Sequence, residues 1–204
     1  MGRVIIPLNR RPFVVKRLAK VSGLGADYIK KIFDRGYGCG DEFWSAVRDF
    51  DTGKLRPDQF YRRIKKMLKL CIGIDDFVEI WQTMLSVDER FVELLWRLKA
   101  RGVRRGIISD LCIIHYYRVM ELLPRDLFDN LFFSFMEKCL KRDSNGIVFE
   151  RAIRAANLPP EKILFIDDIE INIETARGRG MGTFHYQDNF EEFVRHLNSL
   201  GVGV

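Results

Sequence analysis

Two adjacent aspartates, Asp167 and Asp168, directly follow the apolar run of residues 163–166, and Asn172 lies four residues beyond them. Ionised carboxylates at the end of a buried strand repel each other unless a cation or hydrogen-bond donors offset their charge. Mg²⁺ suits such a pair because it binds one or two protein carboxylates together with substrate oxygens. The spacing is equally compatible with a simpler interpretation, in which Asp168 caps a helix and Asp167 occupies a turn.

Two other side chains, those of Ser109 and Lys141, have the chemistry to bind a phosphate group. Ser109 and Asp110 end the apolar run that begins at Gly106, and Lys141 lies in a predicted loop. A lysine can neutralise a phosphate oxygen as a point charge, and the Ser109 hydroxyl can donate a hydrogen bond to the same group. Each also has an ordinary interpretation, with Ser109 capping the helix that follows it and Lys141 solvated.

Alternating elements in the second part of the chain position these residues. From residue 87 onward, helices alternate with short apolar strands, which are predicted at 106–109, 131–135, 162–166 and 183–186. This order predicts an α/β fold, with a parallel sheet covered by helices on both faces. In such a sheet, ligands bind at the carboxyl ends of the strands, which are the positions of Ser109 and Asp167.

The first part of the chain is helical in pattern. Between residues 12 and 85, apolar side chains recur at helical spacing in five segments, separated by glycine-containing breaks. We therefore predict two units: an α/β core made of residues 1–11 and 86–204, and a small helical domain of residues 12–85 inserted into it.

The positive charge belongs to the helical part. The 204 residues carry a net charge of +6, with 17 basic and 10 acidic side chains in residues 1–85 against 17 and 18 in the remainder. The excess is greatest in the predicted helix 57–70. A solvated helix face is the simplest interpretation, a basic lid that attracts an anionic substrate is a second, and nucleic-acid binding is a third, unaccompanied by any recognition motif.

The composition also indicates the class of protein. Apolar residues make up 47% of the sequence, but their runs are far shorter than the ~20 residues that cross a bilayer. The N-terminus lacks the pattern of a secretory signal. The four cysteines include no Cys-x-x-Cys pair, which disfavours a zinc or redox site and favours the reducing cytoplasm. His185 and His196 have no suitably spaced partner and are interpreted as structural, and His115 as a packing or surface residue.

These motifs together resemble the haloacid dehalogenase (HAD) superfamily of hydrolases, and in particular its glucose-1-phosphatase-like branch with a helical cap. The second family motif, a strand that ends in Ser-Asn, is similar to residues 106–110, although Asp110 replaces the usual Asn. The third, a Ser followed seven residues later by Lys-Pro-Asp, is similar to Ser134 and residues 141–143, with Arg142 in place of Pro. The fourth motif and its lead-in match residues 158–168 most specifically.

The resemblance implies a Mg²⁺-dependent phosphatase of a small phosphorylated metabolite, in which a strand-end aspartate forms an aspartyl-phosphate that water hydrolyses. Lys141 would then be catalytic, and it would bind phosphate together with two neighbours, Ser109 and Asp110. The family's metal site corresponds to Asp168 and Asp167, together with the backbone carbonyl of Gly2, and Asn172 would support it. Residues 12–85 would form the cap that closes over the substrate.

The family's first motif, an apolar strand that ends in the nucleophilic aspartate, is not matched. No aspartate occurs in residues 1–26. One alignment places residues 4–6 on the strand and Pro7 at the nucleophile position, which describes an inactive protein. The other places residues 1–4 on the segment that follows the nucleophile, and it requires no gap. The second alignment predicts that the strand and its aspartate are encoded upstream of Met1.

Two hypotheses about function therefore stand. The chain is either a phosphatase whose nucleophile precedes residue 1, or a catalytically inactive relative that binds a phosphorylated ligand or a protein partner. Haloacid dehalogenation is a weaker enzymatic alternative. We expect a cytoplasmic protein that does not bind a membrane. Nucleic acid is disfavoured as a partner, and the alternative of a homo-oligomer stays open.

Overall fold

A computed structural model describes residues 2, 4–6, 11–36, 40–83 and 85–204 of the chain. Cys39 lies outside these residues, and so does Pro7, which the first alignment places at the nucleophile position. Helices dominate the first part, and helices alternate with four short strands in the second, as the sequence pattern predicts. The fold is therefore of the α/β class, with the strands confined to the second part.

Five helices form what we call the helical half, residues 11–83. They are α1 (Arg11–Lys20), α2 (Ala26–Arg35), α3 (Glu42–Asp51), α4 (Pro57–Leu68) and α5 (Ile74–Gln82). Their apolar faces meet in one continuous core that is rich in aromatic side chains, and Phe50 stacks on Phe60 at a ring-centroid distance of 4.1 Å. Cys112 and Ile114, from the second part of the chain, complete this core. The helical half is thus packed against its neighbour.

The α/β half, residues 85–204, begins with α6 (Glu89–Ala100). It continues through β1 (Gly106–Ser109), α7 (Ile113–Leu122), β2 (Asn130–Phe133), α8 (Ser134–Glu137), α9 (Ile147–Ala156), β3 (Leu164–Asp167), α10 (Glu170–Arg177), β4 (Gly182–His185) and α11 (Phe190–Ser199). The predicted strand 131–135 is two residues too long at its end. Phe135 lies in the helical turn α8 and not in the strand. The turn begins at Ser134, whose hydroxyl accepts a hydrogen bond from the Leu111 backbone N–H.

The strands form two parallel pairs. β1 pairs with β2 in the register Ile107 to Leu131, and β3 pairs with β4 in the register Phe165 to Thr183. Within the described residues no strand joins β1 to β3, so the predicted sheet is present as two separate two-stranded sheets. The interruption lies between the two strands that carry Ser109 and Asp167 at their ends.

Helices cover both faces of the strand pairs. On one face, α6 and α11 pack with Leu164 and Ile166 of β3. On the other face, α9 and α10 pack with Phe165 of β3 and Ile108 of β1. Because alternate residues of a strand point to opposite faces, both faces of these strands are apolar, as a doubly covered parallel sheet requires.

Candidate functional site

Lys141 connects the ends of the two strand pairs. Its Nζ lies 2.5 Å from Oδ2 of Asp167, at the end of β3, and its backbone N–H donates to Oδ1 of Asp110, just after β1, at 2.8 Å. The Lys141 side chain is 8% exposed and that of Asp167 is 1% exposed. The interpretation of Lys141 as a solvated loop residue is therefore wrong. One buried ammonium group lies where the carboxyl ends of β1 and β3 converge.

Three donors surround the Asp167 carboxylate. Besides Lys141, the Asn172 side-chain amide donates to Oδ1 at 2.8 Å and the Ile169 backbone N–H donates to the same oxygen at 3.0 Å. Burial by itself raises the pKa of Asp167, but nearby positive charge, first that of the Lys141 ammonium, holds that pKa below its ordinary value, and hydrogen bonds from Lys141 and Asn172 add to the lowering. Asp167 is thus an ionised, fixed group that orients Lys141.

Asp168 lies in a less compensated environment. Its pKa is raised, first by burial and then by the negative charge of Asp167. A cation at this position would reverse that effect. His185 supports the backbone here, because its Nε2 lies 3.1 Å from the Asp168 carbonyl oxygen while its Nδ1 lies 2.6 Å from Oε2 of Glu170. His185 therefore has partners next to the site, which the sequence spacing did not reveal.

Asn172 contains an unsatisfied oxygen. Its side chain is 1% exposed, and its Oδ1 is buried with no hydrogen-bond partner among the described residues. Carboxylate and amide oxygens are the hard ligands that Mg²⁺ prefers. Asp168 and the Asn172 Oδ1 are oxygen donors of this kind, whereas the metal ligands predicted from the sequence are Asp168, Asp167 and the Gly2 carbonyl, with Asn172 in support. In the described part of the chain, no group of three or more His, Cys, Asp or Glu side chains is clustered as a protein-only metal site.

Ser109 and Asp110 lie at the carboxyl end of β1, opposite the Asp167 end of β3. The Ser109 side chain is buried, and its hydroxyl is 3.4 Å from the Asp110 backbone oxygen. The Asp110 carboxylate accepts the Lys141 backbone N–H. Because a carboxylate does not attract a phosphate, the side chain of Asp110 acts on Lys141, and only its backbone N–H remains suited to the predicted phosphate contact. Gly2 is paired with Ile6 by a backbone bridge.

The helical half contributes a carboxyl group that sequence reasoning missed. Burial, and secondly the negative charge of Asp110, raise the pKa of Asp51 at the end of α3 well above its ordinary value. The Asp51 backbone oxygen accepts the Ser134 hydroxyl at 2.6 Å, and the same hydroxyl accepts the Leu111 N–H at 2.8 Å. Asp51 thus lies where the helical half meets the ends of β1 and β2. Its only sequence signal is a position just before the Thr52-Gly53 break.

The histidine, the basic helix and the cysteines that the sequence singled out have different surroundings. Burial lowers the pKa of His115 to about 4, and the ring stacks on Trp81 between α5 and α7. The basic residues of α4 are exposed and partly paired, since Arg62 contacts Asp58 of the same helix. Cys71, Cys112 and Cys139 carry free thiols. In the described ranges no helix has the length and hydropathy of a membrane span.

Comparison with known proteins gives matches in structure alone. No protein-family model matches the sequence, and no curated protein matches it significantly. A HAD family enzyme from Bacteroides thetaiotaomicron superposes with a TM-score of 0.81 at 20% identity, over 96% of this chain and 95% of its own. Another structure of that enzyme, a complex with magnesium and inorganic phosphate, gives a TM-score of 0.78 at 20% identity, over 95% of each chain.

A protein described as a predicted HAD-like family hydrolase, from Porphyromonas gingivalis, superposes with a TM-score of 0.74 at 19% identity. The match covers 98% of this chain and 93% of that protein. The similarity extends through both the helical half and the α/β half. The chain therefore has the fold of the HAD family enzymes, with a helical cap on an α/β core.

Proposed function

We propose that the protein is a Mg²⁺-dependent phosphatase of a small phosphorylated metabolite, acting through an aspartyl-phosphate. One observation supports this more than any other: a buried lysine, Lys141, is fixed by Asp167 at the meeting point of two strand ends, beside a second carboxylate on Asp168. A structural ion pair needs only one carboxylate. The carboxylate of Asp168 adds a second negative charge, and a divalent cation suits such a pair of adjacent carboxylates.

In this proposal, Asp168 and the Asn172 Oδ1 hold Mg²⁺, and Asp167 supports them. The ion, when bound, stabilises negative charge on the transferring phosphoryl group. The role of Gly2 as a backbone ligand is part of the same proposal, by analogy with the family motif. The Bacteroides enzyme with the same fold has been crystallised with magnesium and phosphate, which supports the choice of ion and ligand class.

Lys141 and Ser109 act on the phosphate. The Lys141 ammonium, held in place by Asp167, neutralises a phosphate oxygen, and the buried Ser109 hydroxyl donates a hydrogen bond to another. Both groups are positioned before substrate arrives, so little ordering is needed at the moment of reaction. The helical half, which reaches the site through Asp51, would exclude water when substrate is bound.

The nucleophile is proposed to be an aspartate at the end of a strand that precedes Met1. Its carboxylate oxygen attacks phosphorus, the bond from phosphorus to the ester oxygen breaks, and that oxygen takes a proton from water and leaves as the alcohol. Water then hydrolyses the aspartyl-phosphate, which releases inorganic phosphate and regenerates the carboxylate. The lack of any aspartate in residues 1–26 favours, as the second candidate, an inactive protein that binds a phosphorylated ligand.

The test is hydrolysis of a chromogenic phosphate ester with Mg²⁺ by a chain that carries an apolar segment ending in Phe-Asp ahead of Met1. We expect turnover that falls at least 100-fold when the added Asp is Asn, when Lys141 is Ala, or when Asp168 is Ala. Arg125→Ala, an exposed change distant from the strand ends, is the control and keeps the activity. A folded, extended chain that binds phosphate without hydrolysing the ester would support the second candidate instead.

A further inference from the structure

The loop that carries Lys141 is bonded to the helical half. We call residues 138–143, which follow α8, the Lys141 loop. Its last residue, Asp143, has a carboxylate whose two oxygens have different partners. Oδ1 accepts a hydrogen bond from Nη2 of Arg48, on α3, at 2.7 Å, and Oδ2 accepts one from the Leu140 backbone N–H at 2.9 Å. One carboxylate therefore joins α3 to the backbone directly before Lys141.

The Asp143 carboxylate closes a turn around Lys141. The Asp143 N–H donates to the Leu140 carbonyl at 3.0 Å, so these two residues are bonded in both directions. Burial by itself raises the pKa of Asp143, but hydrogen bonds, first from Leu140 and then from Arg48, together with nearby positive charge hold that pKa below its ordinary value. The carboxylate is thus ionised at neutral pH and attracts the Arg48 guanidinium.

Lys141 depends on this turn because its two other contacts belong to different sheets. Its backbone N–H bonds to Asp110, after β1, and its Nζ bonds to Asp167, at the end of β3. Within the described residues these strands belong to separate pairs. A small shift of the Lys141 loop would therefore lengthen one contact or the other. The turn that Asp143 closes limits such a shift, since Leu140 directly precedes Lys141.

The turn after α3 holds Arg48 next to the loop. The Gly53 carbonyl accepts the Lys138 ammonium, at the start of the loop, at 3.3 Å. A Cβ at Gly53 would lie 2.5 Å from the Phe135 carbonyl oxygen of α8, so the close approach requires glycine. This contact keeps the end of α3 against α8, and with it the Arg48 guanidinium within reach of Asp143.

We propose that Arg48 is a positioning residue for Lys141, which it holds in place through Asp143. The helical half then takes part in phosphate binding without touching the phosphate through this residue. That Lys141 binds phosphate rests on the proposed function, whereas the ordering of the loop by Arg48 does not. The Arg48 side chain is 45% exposed and that of Asp143 is 20% exposed, so the pair acts on the position of the loop more than on global stability.

The experiment compares Arg48→Gln with Arg63→Gln in the chain as it stands. Arg63 is a matched control, because its side chain is 50% exposed and lies 3.6 Å from Asp49 within the helical half. Hydrogen exchange of the Leu140 amide should be about fivefold faster in Arg48→Gln and unchanged in Arg63→Gln. Arg48→Lys, which keeps the charge, should restore most of the protection. An unchanged Leu140 rate in Arg48→Gln would overturn the proposal.

Calorimetric titration with inorganic phosphate in the presence of Mg²⁺ gives a second readout. Arg48→Gln should weaken phosphate binding about fivefold and Arg63→Gln should leave it unchanged, while the thermal midpoint falls equally in both, because each loses one exposed ion pair. Equal weakening by the two variants would overturn the proposal, since the net charge alone would then explain it. A midpoint that falls only in Arg48→Gln, with phosphate affinity intact, would show a purely structural ion pair and overturn it as well.

Two glycines test the same link independently. Gly53 and Gly36 have positive φ angles of 66° and 68°, so alanine is strained at either position, but a Cβ at Gly36 meets nothing within 4 Å. Gly53→Ala should displace the turn from Phe135 and weaken phosphate binding, and Gly36→Ala should not. Adding Gly53→Ala to Arg48→Gln should weaken binding little further, because both changes break one link. Fully additive losses would contradict the proposal.

The position of the loop and the binding of phosphate can fail separately. An unaltered chain that binds no phosphate would contradict the phosphate site of the proposed function. The exchange of the Leu140 amide still decides the present proposal in that case. Faster exchange in Arg48→Gln alone would sustain the ordering of the loop by Arg48, and equal rates in Arg48→Gln and Arg63→Gln would overturn it.

Discussion

The helical half and the α/β half differ in how completely they are packed. The helical half has a single core in which Phe50, Phe60 and Phe77 are each at most 1% exposed. The buried residues of the α/β half fall into three smaller clusters around two unjoined sheets. The part of the molecule with a closed core is thus the cap, and the part with an open sheet carries the candidate site.

This difference places the candidate site at the less completely packed part of the fold. In a parallel sheet, the residues that bind ligand lie at the ends of central strands, so an interruption between those strands lies directly below the site. Lys141 crosses the interruption, since it contacts Asp110 after β1 and Asp167 at the end of β3. The site therefore also links the two sheets.

The largest expected effect contrasts one phenylalanine from each half. Phe60→Ala removes a fully buried ring that stacks on Phe50, and it should lower the free energy of unfolding by about 4 kcal/mol. Phe132→Ala removes a partly buried ring that already borders the cavity between β1 and β3, and about 1–2 kcal/mol is expected. Urea unfolding measures both changes, and equal losses would contradict the contrast between the halves.

Breaking the link across the two sheets should have the next largest effect. Lys141→Met leaves the buried Asp167 carboxylate without its cation and should destabilise the protein by about 3 kcal/mol. The double variant with Asp167→Asn should recover most of that loss, because no buried charge remains. A double-mutant cycle by urea unfolding checks this coupling. Additive losses from the two changes would show that the ion pair does not link the sheets.

Acid should weaken the contact between the halves through His115. Its pKa is lowered from 6.5 to about 4 in the folded protein, so between these pH values the unfolded chain binds a proton that the folded chain does not. Stability should therefore fall by up to about 3 kcal/mol as the pH drops from 7 to 4. His115→Gln should remove that part of the pH dependence in unfolding curves. An unchanged slope in the variant would contradict the prediction.

The smallest effect concerns the hydrogen bonds that attach α3 to the end of β2. Ser134→Ala removes the donor to the Asp51 carbonyl and the acceptor of the Leu111 N–H, and about 1 kcal/mol is expected. Ser199→Ala is the matched control, because its hydroxyl is exposed at the end of α11 and bonds only to the neighbouring turn. A loss no larger than that of the control would show that these bonds do not attach the helical half.

The order of elements could be predicted from the sequence because apolar periodicity is local. The strand of residues 106–109 is present with those bounds, and the five helices before residue 85 are present as the pattern indicates. The end of β2 was misplaced because Phe135 continues the apolar run, while the contacts that turn the chain at Ser134 come from Asp51 and Leu111, far away in the sequence. Such contacts leave no local pattern.

The sequence places the candidate residues in order along the chain but not their contacts. Asp167, Asp168 and Asn172 follow a predicted strand, and their assignment as a metal site stays a prediction based on the family resemblance. The burial of Lys141, the contact of His185 with the Asp168 backbone and the position of Asp51 all depend on tertiary packing. The separation of the two strand pairs likewise left no local pattern in the sequence.

Backbone hydrogen exchange in the chain as it stands tests the central claim most directly, that the sheet is open between β1 and β3. Amides in the closed core, on α3 and α4, should exchange only through global unfolding. Within residues 107–109 and 165–167, the amides that point away from the paired strand should exchange at least 100-fold faster, because the cavity between β1 and β3 admits solvent to that edge. Protection of both strands equal to that of α4 would contradict the account.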